Sequence, residues 1–233
     1  MPSSIKTFYS TYNNSKGLPF WNAEDIKKRL YIKEYLTLHL QNILCKMNQA
    51  WDFQEIEAPI LTPLELINPN YTDNDYFKTN DNKLAIRPET TMGSYEVAKY
   101  YLNNGFKLPL AVFQQGKSFR KEDSEQSMQM HKRFTEFYQL EYQCLYSANS
   151  KADYYNEVIT KLPAIVQDLL KLETRCVPSD RLPAYSKQTM DIEVKTHPDK
   201  WLEICSISDR IDYAENIKNV EVAFGLDRLL LCL

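Results

Sequence analysis

Residues 119–122 read Phe119-Arg120-Lys121-Glu122, and after a charged stretch residues 133–141 read Arg133-Phe134-Thr135-Glu136-Phe137-Tyr138-Gln139-Leu140-Glu141. Side chains two apart on a strand share a face, so Arg120 and Glu122 project together. Arg133, Phe137 and Glu141, four apart, likewise share one face of a returning strand. The stretch predicts two strands of a sheet that carries charge where buried strands ordinarily avoid it. A guanidinium, a carboxylate and an aromatic plane on one surface can hold a phosphate, an amine and a purine together. A solvated face with cross-strand ion pairs satisfies the same spacing. Residues 117–133 show no clean period, and their middle reads as a mobile loop.

Upstream, Asn22 before Ala23-Glu24-Asp25 reads as a helix cap with acids in the first turn. Ile26, Leu30, Ile32, Leu36, Leu40, Ile43, Leu44 and Met47 recur at helical spacing, predicting one long amphipathic helix over 23–49. Residues 51–61 alternate and predict a strand that Pro59 places at an edge or an end. Residues 68–82 are polar and turn-rich, a surface excursion. A short strand over 83–88, a helix over 90–103 closed at Gly105, and a strand over 108–116 follow.

Downstream, residues 134–145 alternate again. Ser150 is placed to cap a helix to 162, with Pro163 opening a second one to 172. Residues 191–194, 201–207 and 220–224 read as strands, and Gly225 opens a short terminal helix. Strands cluster with hairpin-like neighbours, and helices come in blocks. The pattern predicts an α+β fold with a mostly antiparallel sheet flanked by helices, in one domain over 1–233.

Composition narrows the function classes. The 233 residues are 43% hydrophobic and 25% charged with a net charge of −3, which excludes disorder and a global basic field for nucleic acid. The five cysteines, at positions 45, 144, 176, 205 and 232, form no CxxC pair and no disulfide framework, so a reducing, cytoplasmic compartment is expected and a cysteine zinc site is not. The N-terminus has no apolar core of a signal peptide and no run reaches membrane-spanning length, so no membrane partner is expected.

Two further segments carry charge on strands. Trp201-Leu202-Glu203-Ile204-Cys205-Ser206-Ile207-Ser208-Asp209-Arg210 offers an acid and a hydroxyl as oxygen ligands for magnesium, and an arginine as a carboxylate anchor. Glu221-Val222-Ala223-Phe224-Gly225-Leu226-Asp227-Arg228 places an arginine in a helix behind a glycine that permits close approach. A surface strand end and a plain strand-to-helix turn explain each of these alone.

Taken in order, FRxE, a loop, RxxxFxxxE and a terminal FGLDR resemble the second and third signatures of the class II aminoacyl-tRNA synthetases. Glu55-Ile56-Glu57-Ala58-Pro59-Ile60 resembles the first. The resemblance runs from about Gly17 to Leu233 and fits best the subgroup serving glycine, histidine, proline, serine and threonine. Arg87-Pro88-Glu89-Thr90 is similar to an element of the glycyl enzyme, as is the stretch from Asp191 through Asp209-Arg210 to Asp212-Tyr213. Glu203 to Ser206 looks equally seryl-like, Gly17-Leu18-Pro19-Phe20-Trp21 looks threonyl-like, and Ala223 stands where the glycyl enzyme has a serine.

The resemblance implies ATP-dependent formation of an aminoacyl-adenylate, with ATP as substrate and Mg2+ as the metal. It makes Arg120 and Arg228 the catalytic residues. Arg120 bridges carboxylate and α-phosphate, Phe137 stacks under adenine, and Arg228 lies over its other face. Glu122 meets the adenine amino edge, Arg133 the γ-phosphate, and Glu203 with Ser206 the magnesium. Glu89, Glu141, Arg210, Glu221 and Ala223 surround the amino acid. His131 reads as a solvated histidine, or as a contact to phosphate or an acceptor end. The first signature implies a homodimer. No anticodon-binding domain is expected. Three readings stay open: a minimal synthetase gripping only the tRNA acceptor end, a paralogue loading a carrier protein or small molecule, and a non-catalytic dimeric accessory protein.

Overall fold

The computed structural model describes residues 20–46, 50–122 and 133–233. Gly17-Leu18-Pro19, Met47, the middle of the 117–133 loop, His131 and Lys132 lie outside the described residues. The first helix, α1 (Ala23–Cys45), opens as expected: Asn22 accepts from the Asp25 N–H and Asp25 reaches back to the Asn22 N–H, a reciprocal capping box. Its buried stripe is Ile32, Leu36, Leu40, Ile43 and Leu44, joined by Asp25, Arg29 and Lys33. Ile26 and Leu30, assigned to that stripe from their spacing, are instead 43% and 48% exposed.

The chain continues through β1 (Asp52–Glu55), β2 (Leu61–Pro63), a 3-10 turn, β3 (Phe77–Lys78), β4 (Leu84–Ile86), α2 (Thr91–Asn103), β5 (Leu110–Phe119) and β6 (Glu136–Ser147). It closes with α3 (Tyr154–Leu170), β7 (Thr174–Pro178), β8 (Ser186–His197), β9 (Lys200–Arg210), β10 (Ile217–Gly225) and α4 (Leu226–Cys232). Seven strands form the main sheet in the order β1-β5-β6-β10-β9-β8-β7, and β2-β4-β3 form a small one. Every pairing is antiparallel except β1 with β5. The expected α+β fold with a mostly antiparallel sheet is thus observed.

Local expectations needed correction in four places. The single strand over 51–61 is two, because the backbone leaves β1 after Glu55 and Leu61 pairs in the other sheet. Pro163 lies inside one helix rather than at the start of a second. An interior proline costs about 3 kcal/mol, which burial of Val158, Leu162, Val166 and Leu170 on one face of α3 offsets. The polar stretch 68–82 is not merely a surface excursion, since it contains β3 and buries Tyr76. Arg133 precedes β6 and does not share its period.

The two faces of the main sheet differ in chemistry. One face carries Phe113, Tyr142, Cys144, Val222, Phe224, Ile207 and Ile192, packed with α1, α3 and α4 into the principal core. The other carries Gln114, Glu141, Gln143, Glu221, Ala223, Ser206 and Asp191, neighbours across β5, β6, β10, β9 and β8 by register. Helix α2 covers its far end, where Ala98, Leu110, Val112 and Leu145 make a second small core. Among the described residues no helix is long and apolar enough to cross a membrane.

Candidate active site

The polar face becomes a site because three different elements close on it. The first is Arg87, buried after β4. It donates to the carbonyls of Lys117 and Ala58, each at 2.8 Å, and to Gln114 Oε1 at 3.3 Å. This strut ties the segment following β1 to the sheet. It needs Gly116 beneath it, since a Cβ there would sit 2.2 Å from Arg87 Nη2. Sequence reading placed Arg87 in a motif but gave it no task; its buried donors show one.

Arg120 follows the end of β5. Its backbone N–H continues the ladder to Thr135 O at 2.9 Å, and its Nε donates to Pro88 O at 3.0 Å. The guanidinium lies 5.5 Å from the Tyr71 ring centroid and 5.2 Å from that of Phe137. Its Nη2 stands 3.8 Å from Glu89 Oε2. Glu89 also accepts from Tyr71 O–H at 2.5 Å, while its buried Oε1 has no hydrogen-bond partner. Burial raises the Glu89 carboxyl, against the pull of Arg120. Tyr71 was hidden in the polar excursion, and nothing in its local sequence marked it.

Glu141 and Glu221 lie deeper. Gln143 donates to both, at 2.7 Å to Glu221, and Ser94 O–H also donates to Glu141. Arg210 pairs Glu221 with Nη1 and Asp212 with Nε and Nη2. Its guanidinium carbon lies 3.9 Å from the Tyr185 ring centroid and 4.6 Å from that of Tyr95. Burial works against its charge, but Glu221 and Asp212 outweigh that and hold its pKa above the ordinary value. Arg210 therefore builds the pocket wall with its donors already engaged by two carboxylates and two tyrosine rings beside it. Gln143, Ser94, Tyr95 and Tyr185 were not found from sequence, because single polar residues on strands and loops carry no motif.

Burial and the neighbouring Glu221 raise the Glu141 carboxyl from 4.5 to about 8. A raised carboxyl keeps its proton in the folded state where the unfolded chain has lost it, so the stability it contributes is full below pH 4.5 and is lost as pH rises to about 8. Glu141→Gln removes that dependence. Its melting temperature should equal or trail the wild type near pH 5 and overtake it towards pH 8 in a thermal melt series. A difference independent of pH would refute the assignment.

The outer part of the site holds the remaining expected residues. Arg133 Nη1 is 3.5 Å from Glu122 Oε2. Arg228 Nη1 donates to Glu203 O at 2.8 Å and stands 3.5 Å from Glu203 Oε2. Glu203 and Ser206, three apart, would face opposite ways on a regular strand. A register shift between Ile192 and Glu193 opposite them leaves Ile204 as an extra residue. Ile204 and Cys205 are both buried in the same core, so Glu203 and Ser206 emerge on the polar face together. Beside them Asp191, which Ser206 hydrogen-bonds, is raised to about 6 by burial. Ala223 lies between Glu141 and Ser206 across the ladder.

Comparison with known proteins gives the family and the fold. A family model described as the tRNA synthetase class II core domain (G, H, P, S and T) matches residues 71–232. Glycine–tRNA ligase of Mesoplasma florum is 28% identical over 184 residues, covering 76% of this chain and 38% of that enzyme. Glycine–tRNA ligase of Mycoplasma capricolum is 28% identical over 201 residues, covering 81% and 40%. The chain thus spans about two fifths of the length of these relatives. Among solved structures, prolyl-tRNA synthetase from Cryptosporidium parvum with halofuginone and AMPPNP superposes with a TM-score of 0.69 at 14% identity, covering 95% of this chain and 48% of that one. Giardia lamblia prolyl-tRNA synthetase in complex with prolyl-adenylate gives 0.69 at 14%, covering 99% and 52%; at this identity both speak for the fold. With a family match reaching across the sheet and the polar face built on it, this chain belongs to the class II tRNA synthetase core domains of the glycine, histidine, proline, serine and threonine group.

Proposed function

We propose that this protein activates an amino acid with ATP, the small amino acid glycine being favoured by the relatives, and passes it to tRNA. One observation carries the reading: Arg120 lies at the border between an aromatic side, Tyr71 and Phe137, and an acidic side, where Glu89 presents a buried oxygen without a donor. A guanidinium there can touch a carboxylate and a phosphate at once, and the free oxygen suits an ammonium group.

In the reaction a carboxylate oxygen attacks the α-phosphorus of ATP while the bond to pyrophosphate breaks. Both reactants are anions, so no proton must be removed, and charge neutralisation with alignment suffices. Arg120 neutralises the charge gathering on the α-phosphate. Phe137 and Arg228 hold the adenine, Glu122 its amino edge, and Arg133 the γ-phosphate. Glu89 receives the ammonium, and Glu141 and Glu221, the latter fixed by Arg210, line the amino-acid side of the site. Ala223, between Glu141 and Ser206 in register, brings only a methyl group to that side.

A magnesium ion when bound would neutralise phosphate charge. Among the described residues no cluster of three or more His, Cys, Asp or Glu is arranged for a metal. Glu203 and Ser206 fit magnesium in its usual manner in phosphate chemistry, in which one or two protein oxygens leave the other positions to phosphate and water.

Purified protein with ATP, magnesium and single amino acids should catalyse amino-acid-dependent pyrophosphate exchange, fastest with glycine. Silence with all amino acids would overturn the enzymatic reading and favour an accessory role. Transfer of labelled amino acid to total tRNA then decides the acceptor. Charging of protein alone would favour a carrier. We place this activity in the cytoplasm.

A homodimer through the segment around Pro59 is part of the proposal. Ile60 and Leu61 are 44% and 51% exposed; Ile26, Leu30 and Leu38 are also exposed on α1, which the Lys33–Glu55 ion pair fastens to β1. Apolar groups on a strand edge favour a two-fold partner. Sedimentation at micromolar concentration should give about twice 27.4 kDa, and Pro59→Asp should give monomer with reduced activity. A fully active monomer would defeat it.

A further inference from the structure

The two residues proposed to grip adenine each have a neighbour in sequence that points the opposite way. Phe137 faces the site and Tyr138, next along β6, packs against the principal core. Arg228 reaches Glu203, whereas Asp227, its neighbour in α4, is 1% exposed. These two inward-facing neighbours meet. β10 leaves the ladder after Gly225 pairs with Gln139, and the next N–H of β6, that of Tyr138, is taken by Asp227 Oδ2 at 2.9 Å. The carboxylate stands in for the strand that has ended.

A third residue joins from α1. Arg29, 6% exposed, places Nη1 3.3 Å from Asp227 Oδ1 and its guanidinium 3.8 Å from the Tyr138 ring centroid. A buried ion pair is a poor source of stability, since desolvation offsets most of the attraction. Its geometry, by contrast, is strict. Here it locks β6 to α4 at the one level where both carry nucleotide-facing side chains.

We propose that Arg29 and Asp227 are positioning residues that set the spacing of Phe137 and Arg228 from behind the sheet, and so set ATP affinity without touching ATP. The inference rests on the proposed function, because it takes Phe137 and Arg228 as the adenine clamp. It adds two residues that no signature assigns this task, and it makes α1 part of the nucleotide site.

The test compares wild type with Arg29→Met and with the double variant Arg29→Met/Asp227→Asn. The double variant leaves no unpaired buried charge and keeps an acceptor for the Tyr138 N–H, so it should fold even where the single variant does not. Direct ATP binding by calorimetry and the KM values from pyrophosphate exchange are the readouts. The double variant should weaken ATP binding about tenfold while the KM for the amino acid stays within about twofold. Arg29→Lys, which keeps the charge but not the planar contact on Tyr138, should fall between. Unchanged ATP affinity in a folded double variant would overturn the proposal, and so would an equal rise in both KM values, the mark of general distortion. Wild type that binds ATP but exchanges no pyrophosphate would overturn the proposed function alone, leaving the calorimetric comparison to decide the positioning role. Wild type that binds no ATP would overturn both.

Discussion

Arg120→Ala should lower the rate of pyrophosphate exchange by about a hundredfold to a thousandfold, the usual effect of removing one preorganised donor from a developing charge. The KM for ATP should change much less, because adenine binding is assigned to Phe137 and Arg228. The guanidinium is well prepared for this duty. Pro88 O holds its Nε at 3.0 Å, the Thr135 carbonyl holds its backbone, and two aromatic rings flank it. A group fixed before the reaction needs no reorganisation during it, so its contribution appears in kcat more than in binding. Phe137→Ala and Arg228→Ala should show the converse, a raised KM for ATP with a smaller loss of turnover. Steady-state kinetics on the three variants separates the roles. An Arg120→Ala enzyme with wild-type turnover would remove the assignment.

The second large effect is on stability. Arg210→Ala should destabilise the fold by about 3–5 kcal/mol, the range found when one partner of a buried ion pair is deleted. At about 2–4 °C per kcal/mol for a chain of this size, the melting temperature should drop on the order of 10 °C. The reason is that Glu221 is itself buried and would keep only the Gln143 and Tyr185 donors. Asp212 would lose both of its contacts to the guanidinium. Adding Glu221→Gln to Arg210→Ala should recover part of the loss, since the stranded charge is then gone. Thermal melts of the two variants test this, and an Arg210→Ala protein as stable as wild type would show that the pair does not hold the pocket.

The candidate site was legible in sequence where chemistry repeats along a strand. Arg120, Phe137 and Glu141 could be put on one surface because strand side chains alternate, and β6 carries Phe137 and Glu141 on its polar face as that alternation requires. Arg133 escaped the rule because the strand begins only at Glu136. Glu203 and Ser206 were paired by motif although the period opposed it, and the extra residue at Ile204 is what reconciles the two. Such an irregularity depends on the partner strand and leaves no local trace. Tyr71, Gln143 and Tyr185 were missed for a similar reason: each reaches a carboxylate at least 18 positions away, Glu89 or Glu221.

By itself the sequence determined the class of the fold, the capped start of α1, the edge position of the strand before Pro59 and the family. These follow from periodicity, capping chemistry and ordered motifs, all of which can be read along the chain without knowing which distant segments meet. Tertiary structure alone decided which face of α1 is buried, that Pro163 stays inside one helix, and that Arg87, Arg210 and Arg29 serve as struts. The physical reason is the same in each case. A buried charge or an interior proline is unfavourable taken locally, and it becomes tolerable only where distant segments supply carbonyls, carboxylates or apolar surface that offset its cost.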